Sequence, residues 1–224
     1  MKKIILMTLA ALLVCSGAQA QSQTETLRER RQASRYSQSE LNKRASKAAR
    51  KEARSLKREG WKVAPGQLPI EKQLDKSYNM YYEYGESGLP KYMIGDAMSS
   101  GNTYDAAKMQ ALELAKTNLA GQIQTEVTAL IESTVANKQI STKDAESIVR
   151  TVQASKNLII QRIGRVFTVM ECYRQVDKNT VQVRTTVAYN AKMALEDSRV
   201  VIQKQLEEKG EELQKQLDEI WSQL

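Results

Sequence analysis

The chain has 224 residues, with 34 Lys and Arg against 26 Asp and Glu for a formal charge of +8, and it contains no histidine. The commonest general base at neutral pH and the commonest metal ligand are therefore missing, which excludes zinc-histidine motifs, serine-histidine triads and cysteine-histidine pairs. Most carboxylates fall on expected solvent faces of helices, and Gly85-Glu86-Ser87-Gly88 lacks the lysine spacing of a phosphate loop, so the expectation is a noncatalytic protein with no cofactor and no metal site.

Lys2 and Lys3, the apolar run from Ile4 to Cys15, and Ala18-Gln19-Ala20 read as a secretory signal peptide over residues 1–20. The expected address is therefore outside the cytoplasm, either periplasmic or associated with the outer membrane. The apolar run is shorter than the roughly 20 residues that a spanning helix needs. Cleavage after Ala20 removes Cys15 and leaves Cys172 as the only thiol, so packing and not a disulfide must hold the fold. Lipidation of Cys15 is the competing fate, although bulky Val14 stands where a lipoprotein signal prefers a small residue.

Residues 21–62 form a basic arm. Between Arg28 and Lys62 there are thirteen Lys or Arg against four Glu. Ser37 with Glu40 has capping-box spacing and predicts a helix from Leu41 to Arg58. Its apolar stripe, Leu41, Ala45, Ala48, Ala49, Ala53 and Leu56, is thin, and alanines bury little area. Such a helix is expected on a surface or against a partner. Arg44, Lys47, Arg50, Lys51, Arg54, Lys57 and Arg58 are then candidate contacts to an anionic surface, such as phospholipid head groups, lipopolysaccharide phosphates or acidic wall polymer. A solvated lead-in with no ligand is the plainer reading. Nucleic acid is not expected as a partner, because no aromatic residues interleave with the bases for stacking.

Gly60-Trp61, Ala64-Pro65-Gly66 and Pro69 break the helical pattern and open an aromatic linker over residues 63–90. Residues 70–84 read as a short connecting element. Tyr78, Tyr81 and Tyr82 within it are candidates for stacking on a sugar or a partner, and the alternative is that the cluster clips the linker to the neighbouring domain.

The core domain is expected over residues 91–190. A strand from Lys91 to Ser99 leads through Ser100-Gly101-Asn102-Thr103, with Asn102 as helix cap, into a helix from Thr103 to about Val135. Met109, Leu112, Leu119, Ile123, Val127, Leu130 and Ile131 define its apolar face, while Ala106, Ala107, Ala111 and Ala115 allow close packing in its first half. Ser141 with Asp144 caps a second helix that ends near Ala154, with Ile148, Val149 and Val152 inward. Asn157 to Val176 reads as a long strand with a bulge at Gly164. Asp177-Lys178-Asn179 reads as a hairpin turn. Val181, Val183, Thr185, Val187 and Tyr189 then alternate with Gln182, Arg184, Thr186 and Ala188, the pattern of a half-exposed strand. This order predicts an α+β fold, a small antiparallel-rich sheet with helices packed on one face.

From residue 191 the chain returns to an acidic amphipathic helix in which Leu206, Leu213, Leu217, Ile220 and Leu224 form a short coiled-coil-like seam, interrupted by Gly210. Leu206, Leu213, Leu217, Ile220 and Trp221 are candidate partner-interface residues. Self-association, the chain's own basic helix, or another envelope protein are the expected covers.

Tyr92-Met93-Ile94-Gly95-Asp96-Ala97, followed by Asp105-Ala106-Ala107, Gln110-Ala111, Leu114-Ala115, Leu119-Ala120 and Ile123, resembles the core signature of the twenty-kilodalton outer-membrane lipoprotein family. That family is similar to the amino-terminal domain of a flagellar T-ring protein. Gly60 to Gly66 and Pro90-Lys91-Tyr92 also resemble secreted proteins of Bacteroidetes. The resemblance, over residues 90–190, implies a small α+β domain, an outer-membrane or periplasmic location, and no catalytic residues to carry over. Asp96 replaces the usual second glycine of the strand.

Overall fold

The computed structural model describes residues 44–85, 90–136, 141–164, 166–207 and 211–221. The signal segment, Cys15, the Ser37–Glu40 pattern, Leu41, Gly210 and Leu224 lie outside the described residues. In chain order the elements are α1 (Lys47–Arg58), α2 (Ile70–Tyr81), β1 (Tyr92–Gly101), α3 (Tyr104–Ala136), α4 (Thr142–Ala154), α5 (Lys156–Arg162), β2 (Phe167–Asp177), β3 (Thr180–Asn190), α6 (Ala191–Glu207) and α7 (Glu211–Trp221).

The α+β expectation is what forms. The alternating segment becomes β3, the centre of a three-stranded sheet in which β1 and β2 flank it, both antiparallel. Asn179 N–H donates to Asp177 Oδ1 at 2.9 Å in the expected hairpin turn. Val181, Val183, Thr185, Val187 and Tyr189 are all buried on one face. There α3 crosses the sheet: Ala107 and Ala111 lie on Val181 and Val183, and Leu119, Ile123, Val127 and Ile131 lead into the main core. The expected slimness of the first half of α3 is used at Ala107, Ala111 and Ala115, though Ala106 is exposed, and a Cβ on Gly95 of β1 would lie 2.2 Å from the Ala115 carbonyl oxygen. Met109 departs from the predicted face and is 69% exposed, because the alanine row and not the methionine lies against the sheet. The cap is Thr103 in place of Asn102: Thr103 Oγ1 accepts from Ala106 N–H at 3.2 Å. Helix α4 begins as expected, with Ser141 Oγ accepting from Asp144 N–H at 3.2 Å.

The other sheet face is covered as well, by α1 and α2. Ala45, Ala49, Ala53 and Leu56 pack with Trp61, Ile70 and Leu74 onto Met170 and Cys172 of β2. Met80 of α2 covers Ile94, Val169 and Ala188. The basic helix is thus an integral layer and not a free arm. A row of alanines suffices because it brings the helix close while Trp61 and α2 supply the bulk. Helix α1 starts at Ser46, whose Oγ accepts from Ala49 N–H and whose own N–H donates to Asp75 Oδ1 of α2 at 3.0 Å. It stops at Gly60, which takes φ 88°, a left-handed conformation open to glycine.

The expected connecting element at 70–84 is helical, because Pro69 presets the backbone just before the first turn and Ile70, Gln73 and Leu74 share one inward face. Coverage by α2 also explains why Thr186 and Ala188, on the supposedly exposed face of β3, are buried. The expected boundaries at residues 62, 90 and 190 separate stretches of sequence, not units of packing: Ala45–Leu224 forms one compact unit.

Two further expectations change. The predicted strand from Asn157 begins instead as α5, with Ile159 buried among the helices, and the bulge falls between Thr168 and Met170 and not at Gly164. The C-terminal seam is divided between two helices, α6 and α7, joined laterally by the Arg199–Asp218 ion pair at 2.9 Å.

Candidate functional site

Burying the alanine face of α1 leaves its basic residues pointing away from the sheet. Lys47, Lys51, Arg54 and Arg58 follow at steps of four, three and four residues, so they share one face and extend over about 16 Å at 1.5 Å per residue. All four are exposed, and among the described residues none has a hydrogen-bond or ion-pair partner. The remaining predicted contacts divide differently. Arg50 is half-buried and its Nε donates to the Ala45 carbonyl at 3.1 Å. Lys57 is paired with Glu71 of α2 at 2.9 Å, and that ammonium holds the Glu71 carboxyl below its ordinary value. Arg44 is exposed and precedes the compact unit.

The predicted partner interface is spent inside the chain. Leu206, Leu217 and Ile220 are fully buried, Trp221 is 5% exposed, and Leu213 is half-buried against the same cluster, which also holds Ile131, Ile148, Val152 and Ile202. Cover comes from the neighbouring helices of the core, and the basic helix lies on the opposite side of the sheet.

The tyrosine cluster separates into two roles. Tyr78 is half-buried and its hydroxyl donates to Glu52 Oε2 of α1. Burial first, and then that carboxylate, push the phenol up to about 12. Tyr78 thus clips α2 to α1 and is not a stacking surface. Tyr81 and Tyr82 are exposed and meet edge to face, with ring centroids 5.0 Å apart.

One buried carboxylate escaped the sequence reading. Glu171, in the middle of β2, is 5% exposed, and its Oε1 accepts from Gln67 Nε2 at 2.7 Å, from the Tyr104 hydroxyl, and from Lys108 Nζ at 3.0 Å. Burial pushes its pKa up, but those three hydrogen bonds and the Lys108 charge outweigh it and hold the carboxyl below its ordinary value. The group ties the start of α3 and the loop before α2 to the sheet edge, a structural use of a charge.

A carboxyl depressed on folding adds stability above its unfolded value, and that stability is lost as pH falls through the lower folded value. Glu171→Gln should therefore cost about 2 kcal/mol near neutral pH. The deficit should shrink once the pH drops below the unfolded value of 4.5. Urea titrations of both proteins across that range measure it; a deficit that persists unchanged in acid would mean Glu171 is not ionised in the fold.

Cys172 is 1% exposed, and burial pushes its thiol up to about 12, so it is a packing residue and not a nucleophile. Among the described residues no three metal-ligating side chains gather at one point, and no helix is long and apolar enough to cross a membrane. The chain matches no protein-family model, no curated protein and no solved structure.

Proposed function

We propose that the protein is an exported, noncatalytic component of the cell envelope that adheres to a phosphate- or carboxylate-bearing surface through α1. The observation that carries this reading is the row Lys47, Lys51, Arg54 and Arg58, four cations without partners among the described residues. Natural surfaces commonly intersperse charges of both signs; an unmixed row on a helix fixed by its alanine face favours an anionic partner, with attraction that salt screens over about 10 Å. The α+β body holds this helix rigidly, so little ordering cost attends binding. The signal-peptide reading and the resemblance to outer-membrane lipoproteins agree with an envelope address. A scaffold role through the C-terminal seam loses its support, because those side chains already fill the core.

The test is cosedimentation of the chain expressed from Gln21 with phosphatidylglycerol vesicles and, in a separate arm, with purified lipopolysaccharide. Binding to one of them should fall steeply with salt. Replacing the four bases of the row by Gln should weaken it by at least about tenfold, whereas Arg50→Gln should matter much less. Binding that survives the fourfold replacement, or that ignores salt, would overturn the proposal.

A further inference from the structure

We propose that a second site, the groove between the end of α2, the middle of α3 and the start of α5, binds an uncharged saccharide. The groove has a volume of ≈ 670 Å³ and is lined by Tyr81, Tyr84, Gly121, Gln122, Glu126 and Lys156, among others. Such a volume lies within the usual range for small-molecule sites.

Three independent features converge there. The first is a pair of aromatic rings that the core does not use: Tyr81 is 59% and Tyr84 60% exposed. Their backbone is nevertheless fixed, Tyr84 by its bridge to Pro90 and the adjoining Glu83 by accepting the Lys91 N–H at 2.8 Å. A held, open phenol ring presents an apolar face for the C–H side of a pyranose and a hydroxyl at its edge.

The second feature is Gly121. It sits in the interior of a 33-residue helix, where glycine is less favourable than alanine. The fold gives no reason for it, since a Cβ at this position would meet only Lys156 Nζ, at an ordinary 3.7 Å. Gly95 is the contrast, required by the backbone above it. At Gly121 the missing side chain instead leaves bare helix backbone on the groove wall, open to close approach by a ligand.

The third is the polar lining. Lys156 is half-buried and Glu126 exposed, and neither has a partner among the described residues. Gln122 Oε1 accepts from Ile94 N–H at 3.3 Å, which leaves its amide donors for the groove. Donors and acceptors of both kinds suit hydroxyl groups. An apolar ligand would leave them unpaired, an anion would meet Glu126, and a cation would meet Lys156.

The site does not depend on the α1 row, and the experiment keeps the two apart. Maltotetraose, cellotetraose and chitotetraose are titrated to about 10 mM, the scale of weak binding, into the chain expressed from Gln21, with ligand-observed and amide NMR as the readouts. At least one sugar should bind with little dependence on salt. Tyr84→Ala and Gly121→Leu should each weaken it at least about tenfold, and Gly121→Ala should weaken it while raising the melting temperature. Replacing the four α1 bases should leave sugar binding intact, and the groove variants should leave vesicle binding intact. No binding of any of the three sugars, or binding indifferent to both groove variants, overturns the proposal. So does sugar binding that disappears with the α1 bases.

Discussion

Gly95→Ala should be strongly destabilising, since among the described glycines whose surroundings are defined Gly95 has the closest obstacle to an added methyl group. Gly95 lies in β1 where α3 crosses the sheet, and an added Cβ would stand 2.2 Å from the Ala115 carbonyl oxygen and 2.8 Å from both the nitrogen and the Cβ of Leu119. Two of these obstacles are backbone atoms, so no change of rotamer relieves them. Either β1 leaves its register with β3, in which Gly95 faces Val187, or α3 lifts and opens space along the faces of Leu119 and Ile123. Overpacking of a well-filled core costs about 1 to 3 kcal/mol, occasionally more, and a backbone obstacle belongs at or above the top of that range. At roughly 2 to 4 °C per kcal/mol for a domain of this size, the melting temperature should fall by about 10 °C. Gly121→Ala is the internal control. It adds the same methyl group to the opposite side of α3, where nothing obstructs it, and should stabilise by about 0.5 to 1 kcal/mol. Thermal denaturation of the two variants tests the pair; equal effects would mean that α3 does not lie on β1 as closely as described.

The elements visible in the sequence were those whose signal is local. The strand from Val181 to Tyr189, the Ser141 cap and the alanines at 107, 111 and 115 each follow from spacing within one segment and stand in the structure, although Thr186 and Ala188 on the expected exposed face of the strand are buried under α2. Residues 157–162 went the other way because Leu158, Ile159 and Ile160 form a short apolar run, which periodicity alone cannot assign to helix or strand. The position of α1 was hidden for a different reason. Alanines signal little burial by themselves, and the groove they enter is built by Trp61, α2 and β2, more than 100 residues apart in sequence at its extremes. Glu171 was hidden likewise, since its partners come from the loop before α2 and from the start of α3.

Candidate sites followed the same rule. The bases of α1 were visible as a composition, but the free row within them emerges only once Arg50 and Lys57 are seen to be engaged. The exposed tyrosines were also visible. Lys156 and Gly121 were not, because only the fold brings an unremarkable lysine near an unremarkable glycine. A spacing that reads as an oligomerisation seam served intramolecular packing instead, since a heptad-like pattern specifies that an apolar face be covered and not which element covers it.

That last distinction has a measurable form in Leu217→Ala. Leu217 is fully buried in the cluster that contains Ile131, Ile148, Ile202, Leu206 and Ile220. Truncation removes buried methyl groups and leaves a cavity that the three surrounding helices, α3, α4 and α6, cannot all close upon. The expected cost is about 3 kcal/mol, inside the range for buried leucines. Lys215→Ala, exposed on the same helix, should change stability by less than about 0.5 kcal/mol. The decisive readout is concentration dependence. A seam covered by α3, α4 and α6 of the same chain gives wild-type and Leu217→Ala midpoints that do not move with protein concentration. A seam covered by a second copy couples folding to association, so the midpoints of wild type and variant both rise with concentration by mass action. Denaturation over a hundredfold range of protein, about 1 to 100 μM, separates the two arrangements. A moving midpoint would return Leu217, Ile220 and Trp221 to an intermolecular role.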